Sequence, residues 1–204
     1  LHPEDKFLLT DGIIQYDHLV TIRKGELVLS PLDEDPEPTA QEMVKIAGKG
    51  KNWECIFFDG QDGVCSIYDH RPLECRLFQC WETSALEEIA GHNTLSRIDF
   101  IPSSHPVMEC ILNHEKQCPI PDPDRFYAAA SYSPESKEAL AKLTELVRKD
   151  LEIRAEAVEQ FDLSLSFELF LLGRPIHSLL SVYGLTVTQD GGTITITRMN
   201  KKSS

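Results

Sequence analysis

Residues 53–80 read WECIFFDGQDGVCSIYDHRPLECRLFQC and hold four of the chain's six cysteines, spaced Cys55-x9-Cys65-x9-Cys75-x4-Cys80. Trp53–Phe58 has strand composition, DGQDG (59–63) is turn chemistry, and Cys65–Tyr68 returns as a second strand. The spacing predicts a hairpin-like pair over 53–68 that brings Cys55 and Cys65 together at one end. Pro72 pre-sets the backbone for a first helical turn, so RPLECRLFQC (71–80) is expected to open a helix. Cys75 then lies within one turn of the helix start, where unsatisfied N–H groups favour a thiolate. Residues five apart on a helix diverge by about 140°. Cys75 and Cys80 can therefore serve one ion only if the helix ends before Cys80.

Outward from this stretch, Ile14, His18, Leu19 and Ile22 fall at helical spacing and predict a helix stopped by Gly25. DEDPEPTAQE (33–42) reads as an exposed acidic loop, and Met43–Ile46 as a short strand before Gly48 and Gly50. Alternate prolines in CPIPDPDR (118–125) predict extended chain and mark the best boundary. Ser133-Pro134-Glu135 is a helix start, with Leu140, Leu143 and Val147 on its apolar face and Glu138/Lys142 and Glu145/Lys149 as outer pairs. Two shorter helices follow, one from Ser164 to Leu172 before Gly173 and one from Pro175 to about Gly184. LTVT (185–188), QDGG (189–192) and TITIT (193–197) predict a terminal hairpin.

The 204 residues carry a net charge of −13, a balance that disfavours nucleic acid and anionic membrane surfaces, both of which are held by Lys and Arg. With 41% hydrophobic residues the chain can bury a core without covalent staples. The most apolar stretch, Leu163–Leu172, is interrupted by Ser164, Ser166 and Glu168 and is too short to span a bilayer. No signal peptide is visible, which fits a cytoplasmic location, although the first residue is Leu1 rather than Met.

Clustered cysteines without a secretory signal point to metal ligands before disulfides. Four thiolates make a tetrahedral zinc site or hold an iron–sulfur cluster, each donor's negative charge offsetting the ion. Spacing alone leaves zinc, iron–sulfur, buried structural cysteines and redox chemistry open, because no Cys-x2-Cys knuckle is present. Arg71 and Arg76 are candidates to donate N–H bonds to cofactor sulfur, with surface pairing to Asp69 or Glu74 as the alternative. Cys110 and Cys118 are further candidate ligands in a Pro-flanked region. His70, His105 and His114 read as ordinary histidines, Tyr68 as a packed strand residue, and Asp59 and Asp62 as turn formers. Gly48-Lys49-Gly50-Lys51 lacks the pattern of a phosphate loop, and no catalytic constellation stands out.

GVCSIYDHRPLECRLF (63–78) resembles the signature of the YkgJ-type cysteine-cluster family of zinc- or iron-chelating domains. The matching positions are Cys55, Cys65, Ile67, Tyr68, Arg71, Pro72, Cys75, Arg76 and Phe78. The motif is specific over about 25 residues and extends more loosely from residue 1 to about 82, while the tail after 130, including FLLGRPI (170–176), resembles longer bacterial members. The resemblance implies a metal site on Cys55, Cys65 and Cys75, with Cys80 as the fourth metal ligand. Family members also carry a Cys-x2-Cys-x2-Cys-Cys run ahead of the region where this sequence starts. This chain has no cysteine before Cys55, so Cys80, Cys110 and Cys118 are the candidates to stand in for that run.

The expected fold is α+β: a loop-rich cysteine-cluster metal-binding domain over 1–118, a Pro-rich connection over 119–132, and a helical region with a terminal β-hairpin over 133–204. The expected function is a metal-binding protein holding an iron–sulfur cluster or a zinc or iron ion. It would act in electron transfer, in metal handling or as a subunit beside a protein partner, without turnover of its own. The alternatives are a modification enzyme resembling the flagellin lysine N-methylases, which contain a similar cysteine cluster, and a structural zinc interaction module.

Overall fold

The computed structural model describes residues 1–29, 35–50, 52–131, 133–191 and 193–199. Asp33 and Glu34 of the acidic run, Lys51, and Gly192 of the terminal turn lie outside the described residues. In chain order the elements are α1 (Lys6–Thr10), β1 (Leu19–Ile22), β2 (Leu27–Val28), β3 (Glu37–Pro38), β4 (Met43–Ile46), β5 (Gly48–Lys49), β6 (Glu54–Cys55), β7 (Phe58–Asp59) and β8 (Val64–Cys65). Then come α2 (Leu73–Leu77), α3 (Ser84–Glu87), α4 (Val107–Gln117), α5 (Pro123–Ala130), α6 (Ser136–Phe161), α7 (Leu165–Leu172), α8 (Ile176–Leu179), β9 (Leu185–Asp190) and β10 (Thr193–Arg198). The class is α+β, with antiparallel strand pairs and a C-terminal hairpin. By internal contacts the chain divides into two units, Leu1–Ser104 with Ser164–Gly173, and His105–Leu163 with Arg174–Ser204. No helix among the described residues is long and apolar enough to cross a membrane.

In the first unit, β1 pairs antiparallel with β4, Leu19 opposite Ile46 and Ile22 opposite Met43. The helix expected over residues 14–22 is therefore a short 3₁₀ turn followed by a strand. All four residues of β1 are buried, so Leu19, Val20 and Ile22 fill both faces of a strand rather than one stripe of a helix. Helix α7 covers β1, and the Thr21 hydroxyl donates to the Phe170 carbonyl at 2.6 Å. Buried Arg97 donates to the Leu171 carbonyl at 2.5 Å and pairs with Glu42. Gly173, which ends α7, has φ +72° and ψ −170°, a region open essentially only to glycine. A Cβ there would lie 2.9 Å from the Arg23 side chain and 3.0 Å from the Thr21 carbonyl. The loop expected over 33–42 also contains a strand, since Glu37 and Pro38 pair with Val28 and Leu27.

In the second unit, α6 presents Leu143, Val147, Asp150, Ile153, Arg154 and Ala157 on one buried face. The alternate prolines do not keep 118–125 extended to its end. Pro123 opens α5, because proline needs no N–H at a first helical position and the Asp122 carboxylate accepts the Asp124 amide at 2.9 Å. Tyr183 stacks on Phe126 with ring centres 4.2 Å apart. The β9–β10 hairpin is fastened by Arg198, which donates to the Ala130 carbonyl at 3.0 Å and to Ser136 Oγ at 2.8 Å.

Candidate metal centre

Three short elements of the first unit carry Cys55, Cys65 and Cys75. Cys55, on β6, stands opposite Gly48 on β5. Gly48 is required there, since a Cβ would sit 2.5 Å from Trp53 Cγ. Cys65, on β8, stands opposite Phe58 on β7. The expected hairpin is thus present only over 58–65, and Cys55 belongs to a separate pair formed with residues 48–49. Asp59 is a turn former, as its sequence context suggests, with Oδ1 accepting the Gln61 amide at 2.8 Å.

Cys75 lies in α2, which opens at Leu73 after Pro72 as expected and ends at Leu77, before Cys80. Pro72 has no side chain that can cap the helix. The cap comes from Asp5, 68 residues earlier: its Oδ1 accepts the Leu73 amide at 2.8 Å. Asp5 Oδ2 accepts the His2 amide at 2.9 Å, and the Asp5 side chain is fully buried. His2 in turn meets Glu74, Nε2 to Oε1 at 3.0 Å.

Cys55 and Cys75 line one cavity of about 270 Å³, together with Leu1, Lys45, Trp53 and Pro72. Partial burial pushes the Cys75 thiol up, and the charges of Cys55, Glu74 and Cys65 push it further, against a smaller opposing effect of Arg71. This reverses the expectation from a helix start: α2 is one turn long, and its few free N–H groups are outweighed by burial first and by neighbouring sulfur and carboxylate after it. The same interactions place Cys55, Cys65 and Arg71 within electrostatic reach of Cys75. The Arg71 guanidinium also lies 3.8 Å from the Tyr68 ring centre and donates to the Tyr68 carbonyl at 3.0 Å. Arg76 is exposed on α2, and Cys80 is exposed in the turn closed by the Gln79–Glu82 bridge. A wider groove of about 620 Å³ shares Leu1, Lys45 and Glu74 with the cavity.

The other two cysteines lie in the second unit. Cys110 is half-buried on α4, and burial followed by the Glu156 charge raises its thiol. Cys118 caps α4 and is fully buried beside His114 and Asp150. Among the described residues, these three form the one group whose possible ligand atoms all lie within 4.8 Å of one another. His105 is a local loop residue whose Nδ1 accepts the Val107 amide at 3.2 Å. Sequence reasoning passed over Asp5 and Asp150, because each meets its partner across a sequence separation that carries no periodic signal.

Residues 26–119 match the CxxCxxCC family. Its description is "Putative zinc- or iron-chelating domain", and the matched span contains all six cysteines of the chain. It is the cysteine-cluster family that the 63–78 motif resembles. No curated protein and no solved structure gives a match.

Proposed function

We propose that Cys55, Cys65 and Cys75 are metal ligands, with Cys80 as the fourth thiol, and that the protein works through the metal they hold. The observation that carries this reading is that Cys55 and Cys75 line one cavity with Cys65 within electrostatic reach of Cys75; the three sulfurs are not all within 4.8 Å of one another, so binding would draw them together. The donor set fits the group. Sulfur suits zinc, iron and iron–sulfur cores, and close thiols that resist ionising together become stable thiolates once a cation offsets their charge. A cavity of about 270 Å³ is below the ~300–1,000 Å³ of ordinary small-molecule sites, which favours an ion or a small inorganic core over an organic cofactor.

When bound, such a group supplies either a rigid tetrahedral anchor or a site that accepts and gives up an electron. The chain's own residues supply the rest. Asp5 holds α2 and with it Cys75; Gly48 admits Trp53 against the β5–β6 pair; Arg71 keeps a positive charge near the thiols. Because α2 ends at Leu77, the angular conflict between Cys75 and Cys80 on a continuous helix does not arise. We favour an iron–sulfur or iron centre in electron transfer or metal handling, beside a protein partner.

The test is elemental analysis with visible and electron-paramagnetic-resonance spectra on anaerobically purified protein. Iron or zinc should be present and should fall on Cys55→Ser, Cys65→Ser or Cys75→Ser, with a smaller fall on Cys80→Ser. A brown protein identifies iron; a colourless one containing zinc identifies a structural ion. Metal-free protein that is well folded overturns the reading.

A further inference from the structure

We infer a second metal site, independent of the first, formed by His114, Cys118 and Asp150 inside the second unit and suited to a zinc ion that ties α4 to α6. His114 and Cys118 are four apart at the end of α4, so their side chains leave the same face, and the Cys118 amide closes the last turn on the His114 carbonyl at 2.8 Å. Asp150 meets them from the buried face of α6. All three residues are completely buried. Imidazole, thiolate and carboxylate are the three side-chain donors of biological zinc, and three of them leave a fourth position for water.

The carboxylate is held from outside the cluster. Asp150 Oδ2 accepts the Ile176 amide at 2.9 Å, and Arg154 Nε donates to Oδ1 at 3.0 Å. Such outer bonds orient metal-binding carboxylates. His114 Nε2 lies 2.7 Å from Asp150 Oδ1, the length of a charge-assisted hydrogen bond. Zinc at about 2.0–2.1 Å from each of two donors in tetrahedral geometry needs them about 3.3 Å apart. The pair therefore has to open by about 0.6 Å. Binding is an exchange: one Zn²⁺ enters, the Cys118 thiol gives up its proton, and a His114 imidazolium gives up its Nε2 proton while keeping the one on Nδ1, so two protons leave for the two charges that arrive. With Arg154 retained, the cluster then carries Zn²⁺ against one thiolate and one carboxylate, so the ion brings no large excess charge into the core. Complete burial makes this an ion acquired as the chain folds rather than one exchanged from solution.

The deciding experiment is anomalous diffraction at the zinc edge on crystals of the full chain produced with zinc supplied. A peak bounded by His114, Cys118 and Asp150 is expected. Zinc content should fall by one equivalent in both Cys118→Ser and His114→Gln, and Cys65→Ser should leave that peak in place. No peak at this position overturns the inference and leaves a hydrogen-bond network alone, whether or not the variants fold. A peak at Cys55, Cys65 and Cys75 without one here rejects this site while supporting the first, and the converse separates the two in the other direction.

Discussion

Asp5→Ala should loosen the helix that carries Cys75, although Asp5 is 70 residues away from it. Two hydrogen bonds disappear together: Oδ1 to the Leu73 amide at 2.8 Å and Oδ2 to the His2 amide at 2.9 Å. Loss of a helix cap costs about 0.5–2 kcal/mol. Leaving a buried amide unsatisfied costs about 1–3 kcal/mol, and His2 is only 2% exposed. Together these give a loss of about 1.5–5 kcal/mol, or roughly 3–20 °C in melting temperature for a chain of this size. Both tryptophans, Trp53 and Trp81, belong to the first unit, and Trp53 lines the same cavity as Cys75. Urea unfolding followed by tryptophan emission therefore reports on the affected region. Asp5→Asn keeps an acceptor for the Leu73 amide and should recover about half of the loss, with a matching partial recovery of bound metal. A stability of Asp5→Ala within about 0.5 kcal/mol of the parent, or an Asn variant no better than Ala, would refute the assignment of Asp5 as the cap.

Gly173→Ala should destabilise the first unit by at least about 1–3 kcal/mol, since its backbone region is essentially closed to alanine and the new Cβ meets the Thr21 carbonyl at 3.0 Å; parent-like urea unfolding would contradict this. Tyr183 supplies the pH prediction. Burial, then the charges of Tyr127 and Asp122, push its hydroxyl up to about 12. The unfolded chain ionises this group near pH 10, so stability is unaffected below that value and is lost as pH rises from about 10 towards 12. Ultraviolet titration should find one of the five tyrosines titrating late, and Tyr183→Phe should flatten the alkaline loss.

How much of this was legible in the chain differs from element to element. The terminal hairpin, α7 with its Ser164 cap, and the opening of α2 at Pro72 follow local chemistry, and local chemistry is what a sequence displays. Residues 14–22 misled because Ile14, His18, Leu19 and Ile22 fall at positions that satisfy a helical stripe, while burial of both faces of β1 is invisible without the fold. Pro123 misled for a different reason: alternate prolines suggest extended chain until Asp122 is seen to cap the turn they start. At the candidate metal centre, Cys55, Cys65 and Cys75 stand out by spacing and motif. The burial and anionic crowding that raise Cys75, and the distant cap that holds it, depend on which residues become neighbours.

The cover that α7 provides for β1 sets an order of events during synthesis. β1 ends at Ile22 and α7 at Leu172, so roughly 150 residues must be polymerised before the strand receives its lid. At about 5–20 residues per second a ribosome needs about 7–30 s for that interval. Within it the thiols from Cys55 to Cys118 are made one after another, in a nascent chain whose first unit cannot yet close. Until α7 emerges, the four thiols of the first unit belong to a chain segment whose buried strand still lacks its cover.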